Sequence, residues 1–152
     1  MSALSWVLLV LLTIPPDNKT TQPKLEGDLA KLQGYWVGKI EGQKVGMNME
    51  ITGTKIAMTL ILQEDPDHPL LVNGTMKIDE SKKPKEWDFL GGVGPQGQKL
   101  PDALSIYELN GDVLKIYSAP PGKPRPTEIK PDNPAMPQTV FFTRTKKPSD
   151  KK

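Results

Sequence analysis

The chain has no cysteine and only one histidine, His68. Without thiols it can form no disulfide, hold no metal through thiolate and use no cysteine nucleophile. With one imidazole, a serine hydrolase triad would have to run through His68, in the proline-flanked turn Glu64-Asp-Pro-Asp-His-Pro69. An excess of one charge is also missing: 20 basic residues face 18 acidic ones, a net +2. That is too little for the electrostatic footprint by which proteins hold nucleic acid. No apolar run reaches the roughly 20 residues that a membrane-spanning helix needs. Nor does any stretch look like a long crossover helix, which excludes folds built on parallel βαβ units.

What the sequence does have in quantity is turn residues. Its 152 residues include 13 glycines and 16 prolines, most of them between short apolar runs. That is the composition of a many-turned β protein, long enough for one domain with its own core.

From Ala3 to Ile14 the chain is apolar except for Ser5 and Thr13, and Pro15-Pro16 follows. The run suits the apolar core of a secretory signal. No Lys or Arg precedes it and no Ala-x-Ala follows it, so an uncleaved anchor and a buried N-terminal helix are the alternatives. The expected organisation is a signal-like segment and linker over 1–23, a folded domain over 24–146 and a polar tail over 147–152. The mature chain is expected to be secreted or periplasmic, with no membrane span.

Leu25, Leu29 and Leu32 have helical spacing, with Asp28 placed to cap the helix and Gly34 to end it. After Gly34 the period changes to two. Strands are predicted over 35–41, 47–52, 55–63, 71–78, 86–90, 103–109, 112–118 and 138–145. If Gly53-Thr54 forms a two-residue loop, Ile51 pairs with Ile56, Met49 with Met58 and Met47 with Leu60, all six on one face. In the fourth strand Val72, Gly74, Met76 and Ile78 share a face, and in the fifth Trp87 and Phe89 do. Around Asn110-Gly111 a two-residue loop aligns Tyr107 with Leu114, and a three-residue loop aligns Glu108 with it. In the last strand Val140, Phe142 and Arg144 lie on one side. Eight short strands, mostly in hairpin succession, predict an all-β, eight-stranded antiparallel up-and-down barrel with a short N-terminal helix; a two-sheet sandwich is the alternative.

Gly34-Tyr35-Trp36 after a short helix, eight meandering strands and Arg144 on the last resemble the lipocalin-like (calycin) architecture. The chain is more closely similar to a family of bacterial lipocalin-like domains best known from planctomycetes. The stretches that carry this likeness are Asp28-Leu-Ala-Lys-Leu-Gln-Gly34, Ile106-Tyr-Glu-Leu-Asn-Gly-Asp-Val-Leu-Lys-Ile116 and Ala119-Pro-Pro-Gly-Lys-Pro-Arg-Pro-Thr-Glu128. With the strand pattern, it covers Leu25 to Lys146. The resemblance implies that Gly34, Trp36 and Arg144 close one end of a barrel, the tryptophan as plug and the arginine across it. It implies frequent export and no known reaction. The carriage of apolar ligands by typical lipocalins extends to this chain only as a fold analogy.

Other motifs have plain readings. Gly92-Val-Gly-Pro-Gln-Gly97 has dinucleotide-site spacing, but a proline interrupts it and a strand, not a helix, follows, so it reads as a loop. Glu64 to His68 reads as a solvated turn, with too few ligands for a metal. Ser81, Ser105 and Ser118 lie in no nucleophile turn. Glu50, Glu108 and Glu128 are carboxylates that no sequence feature pairs. Pro120 to Pro137 is proline-dense and reads as a stiff flap, able to cover a barrel end or to meet a protein partner.

The inward faces are rich in methionine, an unbranched and adaptable side chain, while Gly38 and Gly74 share the inward parity and leave space. The expectation is a non-enzymatic binding module for a small apolar ligand, with no cofactor and no metal. The candidate site is Met47, Met49, Met58, Leu60, Met76, Trp87 and Phe89. The alternative is a filled barrel that acts through its proline-rich loop.

Overall fold

The computed structural model describes residues 24–40, 44–129 and 139–148. One short helix, α1 (Gly27–Leu32), precedes eight strands: β1 (Gly34–Ile40), β2 (Val45–Thr52), β3 (Lys55–Leu62), β4 (Asp65–Asp79), β5 (Lys85–Val93), β6 (Ala103–Asn110), β7 (Val113–Ser118) and β8 (Thr139–Thr145). Each strand pairs antiparallel with its sequence neighbours, and β8 returns to β1, so the sheet is a closed barrel and not a sandwich. Among the described strands closure leaves no unpaired edge. Among the described residues no helix is long and apolar enough to cross a membrane.

The β2–β3 hairpin has the expected register, Ile51↔Ile56, Met49↔Met58 and Met47↔Leu60. Gly53, at φ +62°, takes the first loop position, where a tight hairpin needs a positive φ. The β6–β7 hairpin departs from both expected alignments. Its loop is Gly111-Asp112, so Leu109 pairs with Leu114 and Tyr107 with Ile116. Gly111, at φ +58°, again takes the first loop position. This places Asp112 in the turn, where its carboxylate accepts a hydrogen bond from Arg144 Nε (2.8 Å) and its carbonyl one from the Arg144 N–H. The slide of one pair leaves Tyr107 and Leu114 on the same face.

Two further boundaries differ. The turn expected over 64–69 is shorter, and β4 begins at Asp65. Leu62 pairs with Asp65 and Leu60 with Leu70, so three extra residues bulge from β4. Pro66 and Pro69 fall in this irregular stretch, where no regular ladder needs their missing N–H groups. Likewise β5 runs on to Val93, with one extra residue between the pairs Thr75↔Leu90 and Asn73↔Val93.

The short helix is held at one barrel end by side chains from the turns beside it. Asp28 is not its cap: the N-cap is Glu26, which makes no side-chain cap bond. Instead Glu80, in the β4–β5 turn, accepts the Asp28 N–H at 2.6 Å, and Gly27 has no Cβ to block that carboxylate. The Gln33 amide donates to the Gly53 carbonyl and accepts the Gly53 N–H (3.1 and 2.7 Å), tying down the β2–β3 turn. At the C-terminal end, Trp36 Nε1 donates to the Leu32 carbonyl (2.9 Å), and Arg144 donates to the carbonyls of Lys31 and Gln33. The orphan carbonyls of a helix end thus gain partners that six residues of helix cannot supply.

The core runs inward from this closed end. Leu32, Trp36, Met49, Ile51, Tyr107, Leu114 and Phe142 are essentially inaccessible to solvent, and Met76 and Trp87 join their cluster.

Candidate functional site

An apolar cavity of about 190 Å³ occupies the barrel interior. Met47 and Met49 on β2 and Ile56 and Met58 on β3 form one wall; Trp87, Phe89, Ala103, Ser105, Ile116, Ser118, Val140, Phe142 and Ile40 complete it. Ile40, Ala103 and Ser118 are terminal residues of their strands at the end opposite α1, so the cavity extends toward that end.

Five of the seven candidate residues, Met47, Met49, Met58, Trp87 and Phe89, line this space. Met76 and Leu60 do not. Met76 is packed in the buried cluster, and Leu60 is half-buried on β3, at the pair next to the β3–β4 bulge. The sequence reading missed the opposite wall, chiefly Ile116, Val140, Phe142 and the two serines. Strand parity could have found them: Ser105 alternates in step with Tyr107, and Ser118 with Leu114 and Ile116.

The glycines do not leave free space. A Cβ on Gly74 would lie 2.5 Å from the Phe89 ring, and one on Gly38 2.5 Å from the Phe142 ring. Each phenyl lies against a glycine backbone, so the glycines make room for the two rings that line the cavity.

Most charged side chains are kept out. Among the described residues none lines the cavity. Glu50 is ion-paired with Lys147 at 2.7 Å, and Glu108 and Glu128 are exposed. His68 is exposed on β4, 2.7 Å from the Asp65 carboxylate. Among the described residues no group of three or more His, Asp or Glu side chains gathers as a metal site would require. Gly92 to Gly97 leads out of β5 into turns, with Gly97 N–H on the Gly94 carbonyl, and the next element is β6.

The closed end holds one buried carboxylate. Asp28 accepts hydrogen bonds from Lys85 Nζ (2.5 Å), the Tyr107 hydroxyl (3.0 Å) and Lys31 Nζ (3.3 Å). Burial alone would raise its pKa, but these donors outweigh burial and hold it below the ordinary value. Tyr107, buried and bonded to that carboxylate, is pushed far above the usual phenol range. The Trp87 ring meets Tyr107 edge-on at 6.0 Å, so this polar cluster buttresses a cavity wall from behind.

The proline-rich segment lies against the barrel's outer surface where it is described. Arg125 donates to Asp88 Oδ1 (2.5 Å) and to the Ser105 carbonyl (2.7 Å), and its Nε is 3.6 Å from Glu86. Asp88 and Glu86 have the outward parity, opposite to Trp87 and Phe89. Ile106 and Tyr117, which pair with each other at outward parity, are nonetheless buried, consistent with chain passing over them. The second half of the expected flap, 130–138, and the expected signal-like segment, 1–23, lie outside the described residues.

The chain matches no protein-family model, no curated protein and no solved structure. The cavity is compact, and the described residues that line it are apolar except for Ser105 and Ser118.

Proposed function

We propose that the protein is an exported, lipocalin-like binding module that takes a small apolar molecule into its barrel. The observation that carries this reading is the cavity, with three methionines on the β2–β3 wall facing Phe89, Phe142 and Ile116. Unbranched thioethers adapt their shape to a guest more readily than branched aliphatics do. The size bounds the guest. An engineered apolar cavity of about 150 Å³ admits benzene, so about 190 Å³ suits a compact molecule or the end of a chain, not a whole lipid. Export rests on the apolar run from Ala3 to Ile14.

Calorimetric titration with toluene or indole tests the proposal. The wild type takes up the probe, and Met58→Trp, which fills the cavity, abolishes uptake while the barrel stays folded by circular dichroism. Absence of uptake by folded wild-type protein refutes the proposal. Mass spectrometry of small molecules released from the purified protein would then identify the natural guest.

A further inference from the structure

Ser105 and Ser118 are partners across the β6–β7 ladder, and their hydroxyl oxygens lie 2.8 Å apart on the cavity wall. Among the described residues the rest of the wall is aliphatic, thioether or aromatic. A hydroxyl carries one O–H donor and two acceptor lone pairs. Two hydroxyls bonded to each other use one O–H between them and leave the second without an acceptor. Neither oxygen has another hydrogen-bond partner among the described residues. Which serine donates to the other does not matter, because either arrangement leaves one donor over. Ser105 is only 1% exposed and Ser118 is half-buried at the end of β7, so a spare donor on Ser105 is shut off from bulk water and one on Ser118 is partly so.

From this, and resting on the binding reading above, we propose that the guest is a neutral apolar molecule with one hydrogen-bond-accepting oxygen, a carbonyl, held by the Ser105–Ser118 pair. The surrounding wall disfavours the alternatives. A carboxylate or an ammonium would be desolvated with no counter-charge among the lining residues, which is strongly unfavourable. A pure hydrocarbon would leave the spare O–H unmet, and a buried donor without a partner is costlier than an under-used lone pair. A carbonyl satisfies that donor and asks for no other polar group.

Acetophenone and α-methylstyrene test this proposal, since they differ only in C=O against C=CH₂. Both are titrated into wild type and into the double variant Ser105→Ala/Ser118→Ala, which removes both hydroxyls and orphans neither. The double variant is expected to bind acetophenone about fivefold more weakly, as the loss of one neutral hydrogen bond implies, and α-methylstyrene within about twofold of wild type. A second measurement does not depend on the variant folding: the carbonyl stretch of acetophenone bound to wild type is expected at the lowered frequency of a hydrogen-bonded ketone. If both molecules bind but the stretch stays at its hydrocarbon-solvent position, or if acetophenone affinity is unchanged in the folded double variant, the serine assignment falls and the binding reading stands. If neither molecule binds folded wild type, both fall.

Discussion

The guanidinium of Arg144 lies 4.2 Å from the centre of the Trp36 ring, and the two residues are direct partners across the β1–β8 seam. The same guanidinium holds two carbonyls of the helix end and the Asp112 carboxylate. One side chain thus joins the last strand, the first strand, the helix and the β6–β7 turn. Arg144→Ala should lower the unfolding free energy by about 2–4 kcal/mol, from the lost cation–aromatic contact and the stranded carbonyls. Arg144→Lys, a point charge that cannot fork, should recover less than half of this. Urea denaturation measures both, and a loss under about 0.5 kcal/mol for the alanine variant would contradict the assignment.

Asp28 gives the protein an acid limit. A carboxyl depressed in the folded state contributes stability that is complete above its unfolded value and is lost as pH falls through the folded value. For Asp28 the loss begins below its ordinary 3.8. Asp28→Asn should cost about 1–3 kcal/mol at pH 7, because a buried carboxylate that accepts from three donors becomes a neutral amide whose N–H₂ must face one of them. The difference from wild type should narrow as pH is lowered beneath 3.8. Equal differences at pH 7 and pH 3 would show that the carboxylate charge is not the cause.

Tyr107 adds a contribution on the alkaline side. Its phenol, raised above the ordinary 10 first by burial and then by Asp28, contributes stability that is present below pH 10 and is lost as pH rises further. Ultraviolet titration should show Tyr107 ionising only together with unfolding. In the Tyr107→Phe variant that step should be absent from the titration.

The phenyl rings on glycine predict a steric effect. Gly74→Ala must displace the Phe89 ring and should destabilise the barrel by about 1–3 kcal/mol, as overpacking does, while weakening uptake of a cavity probe. Gly46→Ala is the control. Its Cβ would meet only Ile61 at 3.7 Å, an ordinary contact, and the variant should melt and bind like wild type. Thermal melts and probe titrations on the two variants decide the matter.

Arg125 anchors the proline-rich segment to β5 and β6. Arg125→Ala should leave the barrel folded but speed proteolysis within 119–129, by exposing chain now held against Asp88 and the Ser105 carbonyl. Timed digestion followed by mass spectrometry reads this directly. An unchanged cleavage rate would mean that the prolines alone hold the segment.

Much of the fold is legible in the sequence where the signal is local. The β2–β3 register follows from a two-residue loop and strict alternation, both within sixteen positions of each other. The β6–β7 register was not legible, because Asn110-Gly111 is an attractive loop on its own and the contact between Asp112 and Arg144 spans 32 positions. Asp28 shows the same limit: an acidic residue at a helix start reads as a cap, whereas its partners Lys85 and Tyr107 lie 57 and 79 positions away. At the candidate site, the methionine wall could be read from one hairpin. The serine pair could not, because two hydroxyls on separate strands acquire meaning only when the register brings them together.

Residues 34 and 145, where the chain enters and leaves the barrel, both lie at the end closed by α1, with Tyr35 beside Thr145. The cavity extends toward the other end. Pulling on the chain at residues 34 and 145 would therefore load the antiparallel β1–β8 seam from one end and open it pair by pair, instead of shearing all its ladder bonds at once.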